Sequence, residues 1–189
     1  MTRIPVRLLV LTAALLTTLG VIGPASAATR PYCGLTWGSL PKAQSAADAE
    51  MVTDVRAGRH ACFDRLVVDL GGQDVSFGSY DVRYVPVVLE DARGTAVPVR
   101  GAADLQIALR AATYDQYGNA TFAPGDGQEV VDVSGYSTFR QVAWAGSFEG
   151  YTTMALGVRA RLPFRVFTLP GTAQSDHTPR LVIDVAHSW

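Results

Sequence analysis

The chain nearly repeats one hexamer: RLVVDL from Arg65 to Leu70 and RLVIDV from Arg180 to Val185. Side chains alternate along an extended strand, so Leu66, Val68 and Leu70 share one face of the first copy while Arg65, Val67 and Asp69 share the other. The second copy behaves alike, with Leu181, Ile183 and Val185 on one side and Arg180, Val182 and Asp184 on the opposite side. A strand with one apolar and one charged face needs a second layer over its apolar side, and the charged side is expected to be half wet. Arg65 and Asp69 lie four residues, roughly 13 Å, apart on one strand, so they do not bridge each other. If the copies pair antiparallel with Val67 opposite Val182, Arg65 faces Asp184 and Asp69 faces Arg180, each pair contributing roughly 0.2–1 kcal/mol. If they occupy equivalent places in two quasi-symmetric sheets, they never touch. Charge complementarity is compatible with both arrangements. Neither Asp has a neighbouring His, Glu or Gly-rich turn to tune it as an acid or base, so Arg65, Asp69, Arg180 and Asp184 read as structural strand charges.

The rest of the chain after Val52 has the same texture, short Val, Leu, Tyr and Phe runs separated by Gly, Pro and Asp. The patterning predicts strands at 52–57, 63–70, 80–89, 96–99, 105–111, 130–133, 139–145, 151–158, 164–169 and 180–186. Asp91 to Gly94 reads as a hairpin tip, and residues 114–129 form the longest loop-like stretch. No long amphipathic helix follows Val52. The expected fold class is all-β, a β-sandwich of two small packed sheets.

The first 27 residues are set apart. Arg3 and Arg7 precede an apolar stretch from Leu8 to Ile22, then Ala25-Ser26-Ala27, the pattern of a cleaved secretory signal peptide. The stretch is short for a bilayer span of ~20 residues, and no later apolar run is long enough to cross a membrane. The formal net charge of −1 becomes two units more negative when Arg3 and Arg7 leave with the leader. Both signs are interspersed, so no basic patch points to nucleic acid. Residues 28–51 read as an N-terminal arm, and 52–189 as the folded domain. Export puts Cys33 and Cys62, the two cysteines of the chain, in an oxidising compartment, where they are expected to form a disulfide.

The ordered segments DVRAGRHACFDRLVVDL, YDVRYV, GSFEGYTTMALGV, LPFRVFTL and PRLVIDVAH together resemble the AMIN-like domain of secreted, mostly actinobacterial proteins. That domain is related to the AMIN domain found in front of cell-wall N-acetylmuramoyl-L-alanine amidases and in pilus secretins. The resemblance runs from Thr53 to His187. It implies a β-sandwich and a targeting or binding role at peptidoglycan in the envelope, in a secreted or wall-associated protein. It brings no catalytic residues, because the amidase relatives carry their zinc chemistry in a separate domain.

Motifs for chemistry are weak. Ser39 to Lys42 matches S-x-x-K, but no K-T-G follows and G-x-S-x-G is absent. His60, His177 and His187 lack metal-ligand spacing, and no cofactor or metal is expected. Glu149 and Gly150 interrupt the alternation between two strands, where a carboxylate could reach a sugar or amine; a tight turn or β-bulge is the plainer interpretation. Trp37 and Tyr151 are expected to be partly exposed, and Arg83 supplies further hydrogen bonds, so Trp37, Arg83, Glu149 and Tyr151 are the candidate ligand contacts. The expected function is non-catalytic binding of peptidoglycan or another envelope glycan. Assembly with an envelope protein is the alternative, and an unrecognised secreted hydrolase a third option.

Overall fold

The computed structural model describes residues 32–47, 50–72, 76–172, 175 and 177–189, so the expected leader lies outside the described residues. Among these residues there are strands and no helix. One sheet runs in the order β1 (Lys42–Gln44), β4 (Tyr80–Val85), β7 (Ala103–Leu109), β10 (Tyr151–Val158), β9 (Phe139–Phe148), antiparallel throughout. The second runs β11 (Phe164–Leu169), β12 (Arg180–Ala186), β3 (Phe63–Gly71), β2 (Glu50–Arg59), β8 (Ala111–Ala112), with β8 parallel to β2. A separate ribbon pairs β5 (Val88–Leu89) with β6 (Ala96–Val97) around the Asp91 to Gly94 tip.

The sandwich core follows from the alternation. Leu66, Val68, Leu70, Leu181 and Ile183 point inward from the second sheet, and Leu105, Ile107, Met154 and Leu156 meet them from the first; all are fully buried. Truncating any one of these to Ala costs about 2–5 kcal/mol, the lost transfer energy plus the cavity left behind.

The two hexamers pair directly: β12 lies beside β3 with Val182 opposite Val67, Asp184 opposite Arg65 and Arg180 opposite Asp69. Only the first of the two ion pairs forms. Arg65 donates to Asp184 through Nε at 2.6 Å and Nη2 at 2.9 Å. Asp69 instead accepts from Arg56 of β2, at 2.5 and 2.9 Å, so Arg180 does not bridge to it. The charged face is also drier than a half-wet sheet, because Val67, Val182 and Asp184 are buried on it.

Three predicted strands are lost or divided, and the arm gains one. Val130 to Val133 is a loop; it straps the edge of β9, Val130 N–H donating to the Val142 carbonyl and Trp144 N–H to the Gly127 carbonyl, while Val133 enters the core. The 80–89 run breaks after Val85, where Pro86 removes a ladder donor. The 105–111 run divides, β7 ending at Leu109 and β8 joining the other sheet. Residues 42–44 of the arm form β1 on β4.

The β5–β6 ribbon lies on the outer face of the first sheet, Val88 and Val97 packing on Ala143, Ala145 and Ala155. Small residues there are obligatory: a Cβ on Gly157 would stand 2.0 Å from the Arg100 carbonyl oxygen. The arm is fixed at two points. Cys33 and Cys62 are disulfide-bonded with Cα atoms 6.3 Å apart, and Phe164 N–H donates to the Gly38 carbonyl. Across the sandwich, the buried Asp64 carboxylate accepts Thr138 N–H at 2.5 Å and stands 3.1 Å from Nε2 of His187, joining β3, the start of β9 and the end of β12.

Candidate functional site

A cleft of about 440 Å³ opens at one end of the first sheet, lined from β1 by Ala43 and Gln44, from β4 by Tyr80 and Asp81, from β7 by Ala108 and Leu109, and by Ser45, Ser79, Arg110 and Tyr151. The register explains the depression. Ala43, Asp81 and Ala108 are cross-strand partners, and the first and last carry only methyl groups, so the row is low on either side of Asp81. Tyr151 opens β10 with half its surface exposed and forms one wall. Arg110 follows β7, its N–H donating to the Ser79 carbonyl.

The chemistry offered is mixed. The Tyr151 ring gives a flat apolar face with a polar tip, while an amide, two hydroxyls, a carboxylate and a guanidinium give donors and acceptors at several heights. Asp81 is bonded by the Arg83 guanidinium, with Nε at 2.5 Å and a second contact from Nη2, and this pair raises the Arg83 pKa. Tyr80 packs against the sandwich core, and burial raises its pKa.

The structure separates the four candidate contacts. Tyr151 lines the cleft, and Arg83 reaches it through Asp81 from two residues further along β4. Glu149 forms a two-residue hairpin turn with Gly150, both with positive φ of 49° and 82°, as a type I′ turn demands. It lies beside Tyr151 in the chain but does not line the cleft. Trp37 is buried, contrary to the expectation of partial exposure: its indole N–H donates to the Tyr32 carbonyl at 2.8 Å, and its ring packs on Phe63 on the outer face of the other sheet. Packing of the arm against that face, behind the disulfide, covers it. Gln44, Ser79, Asp81 and Arg110 were not singled out by sequence reasoning. The available signal was the alternation of YDVRYV, which places Asp81 and Arg83 on one face, but nothing in the sequence brings β1 beside them.

Lys42 Nζ donates to the Leu40 carbonyl at 2.7 Å and lies 4.5 Å from the Phe164 ring centre, and burial lowers its pKa. Among the described residues no three His, Cys, Asp or Glu side chains converge as metal ligands, and no helix is long and apolar enough to cross a membrane.

Residues 50–187 match the AMIN-like domain family, well over half of the chain. The chain belongs to the AMIN-like domain family. Comparison with curated proteins and with solved structures gives no match. The AMIN-like match begins at the first residue of β2 and ends just beyond β12. Ala43, Gln44 and Ser45 therefore come from outside the matched region, so the arm adds one wall of the cleft to the AMIN-like domain.

Proposed function

We propose that this AMIN-like domain is a non-catalytic binding module of the cell envelope, and that the cleft at the end of the first sheet holds a glycan segment of the peptidoglycan type. The observation that carries this is the lining itself: Tyr151 beside Asp81, Arg110 and Gln44, on a floor of Ala43 and Ala108. Sugar rings present apolar faces edged by hydroxyls, and an aromatic wall next to short polar groups satisfies both kinds of surface. The proposal includes export by a signal peptide ending at Ala27, an arm over 28–51 and a domain over 52–189. Arg83 acts by holding Asp81 in place, and Glu149 sets the turn that presents Tyr151.

A second reading is supported by the β9–β10 tip, where Phe148 and Tyr151 are cross-strand partners and both about half exposed. Such a paired aromatic edge also fits a protein partner in the envelope. Co-sedimentation of the purified protein with peptide-stripped cell-wall glycan separates the two. Retention that Tyr151→Ala weakens supports the glycan; no retention above an unrelated secreted protein overturns it.

A further inference from the structure

The outer face of the second sheet carries a polar array that the cleft does not use. Its register gives three cross-strand rows: Leu169, Arg180, Asp69 and Asp54; then Phe167, Val182, Val67 and Arg56; then Arg165, Asp184, Arg65 and Gly58. In the third row the buried Asp184 carboxylate is taken by both Arg65 and Arg165. Asp69 is taken by Arg56 from the row below. Arg180 stands opposite Asp69 yet loses it, and its buried Nε has no hydrogen-bond partner among the described residues. Asp184 is shared by two guanidiniums and Asp69 is taken by Arg56, so Arg180 is the arginine of these rows with no ion pair among the described residues.

Beside Arg180 lies a pocket of about 270 Å³ with Val67 and Val182 at its base and Arg56, Arg65, Leu169 and His60 also lining it. Its volume equals the liquid share of roughly nine waters, room for an amino-acid-sized group. Arg180 lines this pocket without a carboxylate of its own, and the group that satisfies a guanidinium best is an acceptor-only, planar carboxylate. A neutral hydroxyl would leave the charge uncompensated, and a metal cation would be repelled. The valine base favours an aliphatic substituent next to the anion. We infer that this pocket binds a carboxylate carried beside a small aliphatic group, such as the C-terminal end of a short peptide, with Arg180 as its principal partner. The site stands on the opposite sheet from the glycan cleft and does not rest on that assignment.

The test is calorimetric titration of the purified protein with N-acetyl-alanyl-alanine, with its C-terminal amide, and with inorganic phosphate. The free acid binds, and the amide binds at least about tenfold more weakly, the loss expected from removing one charge-assisted contact. Arg180→Gln weakens the acid by about the same factor without lowering the melting temperature, because it removes a donor that has no partner in the free protein. Leu169→Glu, which sets an internal carboxylate in the row beside Arg180, blocks the acid while retaining the arginine. Tyr151→Ala leaves acid binding unchanged. Equal binding of acid and amide, tighter binding of phosphate than of the acid, wild-type affinity in Arg180→Gln or Leu169→Glu, or loss of acid binding in Tyr151→Ala would each overturn the inference.

Discussion

Arg65 and Asp184 are 119 residues apart in the chain and are joined by two hydrogen bonds of 2.6 and 2.9 Å between adjacent strands of one sheet. Asp184 is fully buried and also accepts from Arg165 Nε at 2.7 Å, so one carboxylate is shared by two guanidiniums. The aromatic rings of Phe63, Phe167 and Trp37 flank these arginines, with Arg165 5.3 Å from the Trp37 ring centre and 5.0 Å from that of Phe167. The pair fixes the register of the C-terminal strand.

Loss of that carboxylate is costly in an asymmetric way. Asp184→Ala strands two partly buried arginines and is expected to lower stability by about 3 kcal/mol, whereas Arg65→Ala leaves Asp184 bonded to Arg165 and costs roughly half as much. Urea unfolding of both variants checks this; equal losses would mean that Arg165 does not share the carboxylate.

The disulfide closes the arm onto the turn between β2 and β3. Opening that loop by Cys33→Ser with Cys62→Ser is expected to cost about 3–4 kcal/mol in the chain-entropy account. The unfolding midpoint of the double variant, measured beside that of the oxidised protein, gives the value.

Tyr84 couples stability to alkaline pH. Its hydroxyl donates to the Leu162 carbonyl at 2.7 Å and accepts Leu162 N–H at 3.1 Å, and burial pushes its pKa up to about 12. The folded protein therefore holds this proton more tightly than the unfolded chain does. The contribution is fully present below pH ~10 and is lost as pH rises toward ~12, on the order of 1–2 kcal/mol after allowance for solvent at the ring edge. Unfolding free energies across this window should fall more steeply for the wild type than for Tyr84→Phe; parallel slopes would contradict the assignment.

Gly157 tests the third layer. Because its Cβ position is already occupied by the Arg100 carbonyl and Val99, Gly157→Ala is expected to destabilise by about 1–3 kcal/mol through overpacking. Thermal unfolding of the variant is the measurement; a neutral result would place the 99–100 segment further from β10.

Alternation of side chains made the sandwich legible, since Leu66, Val68 and Leu70, or Met154, Leu156 and Val158, can bury one face only in extended strands. The family was legible too, through RLVVDL, YDVRYV and RLVIDV in order. The pairing of the hexamers was not, because their charges suit both direct pairing and quasi-symmetry. The failure at Arg180 is a matter of competition: pairing rules weigh the residue directly opposite, and Arg56 reaches Asp69 diagonally from the other side. Val130 to Val133 has strand composition, but only the Val130 N–H reaches the edge of β9, as part of a strap. The small residues Ala143, Ala145, Ala155 and Gly157 were a readable sign that a further layer covers that face. Trp37 was misplaced because an arm docked by a disulfide has no periodicity to reveal what it covers.

The cleft is the centre of the account, and amide chemical-shift mapping with soluble, peptide-free glycan oligomers tests it most directly. The predicted result is a set of saturable shifts at Ala43, Gln44, Asp81, Ala108, Arg110 and Tyr151 that Tyr151→Ala abolishes. Shifts confined to the arginine face of the other sheet, or no saturable shifts, would contradict it.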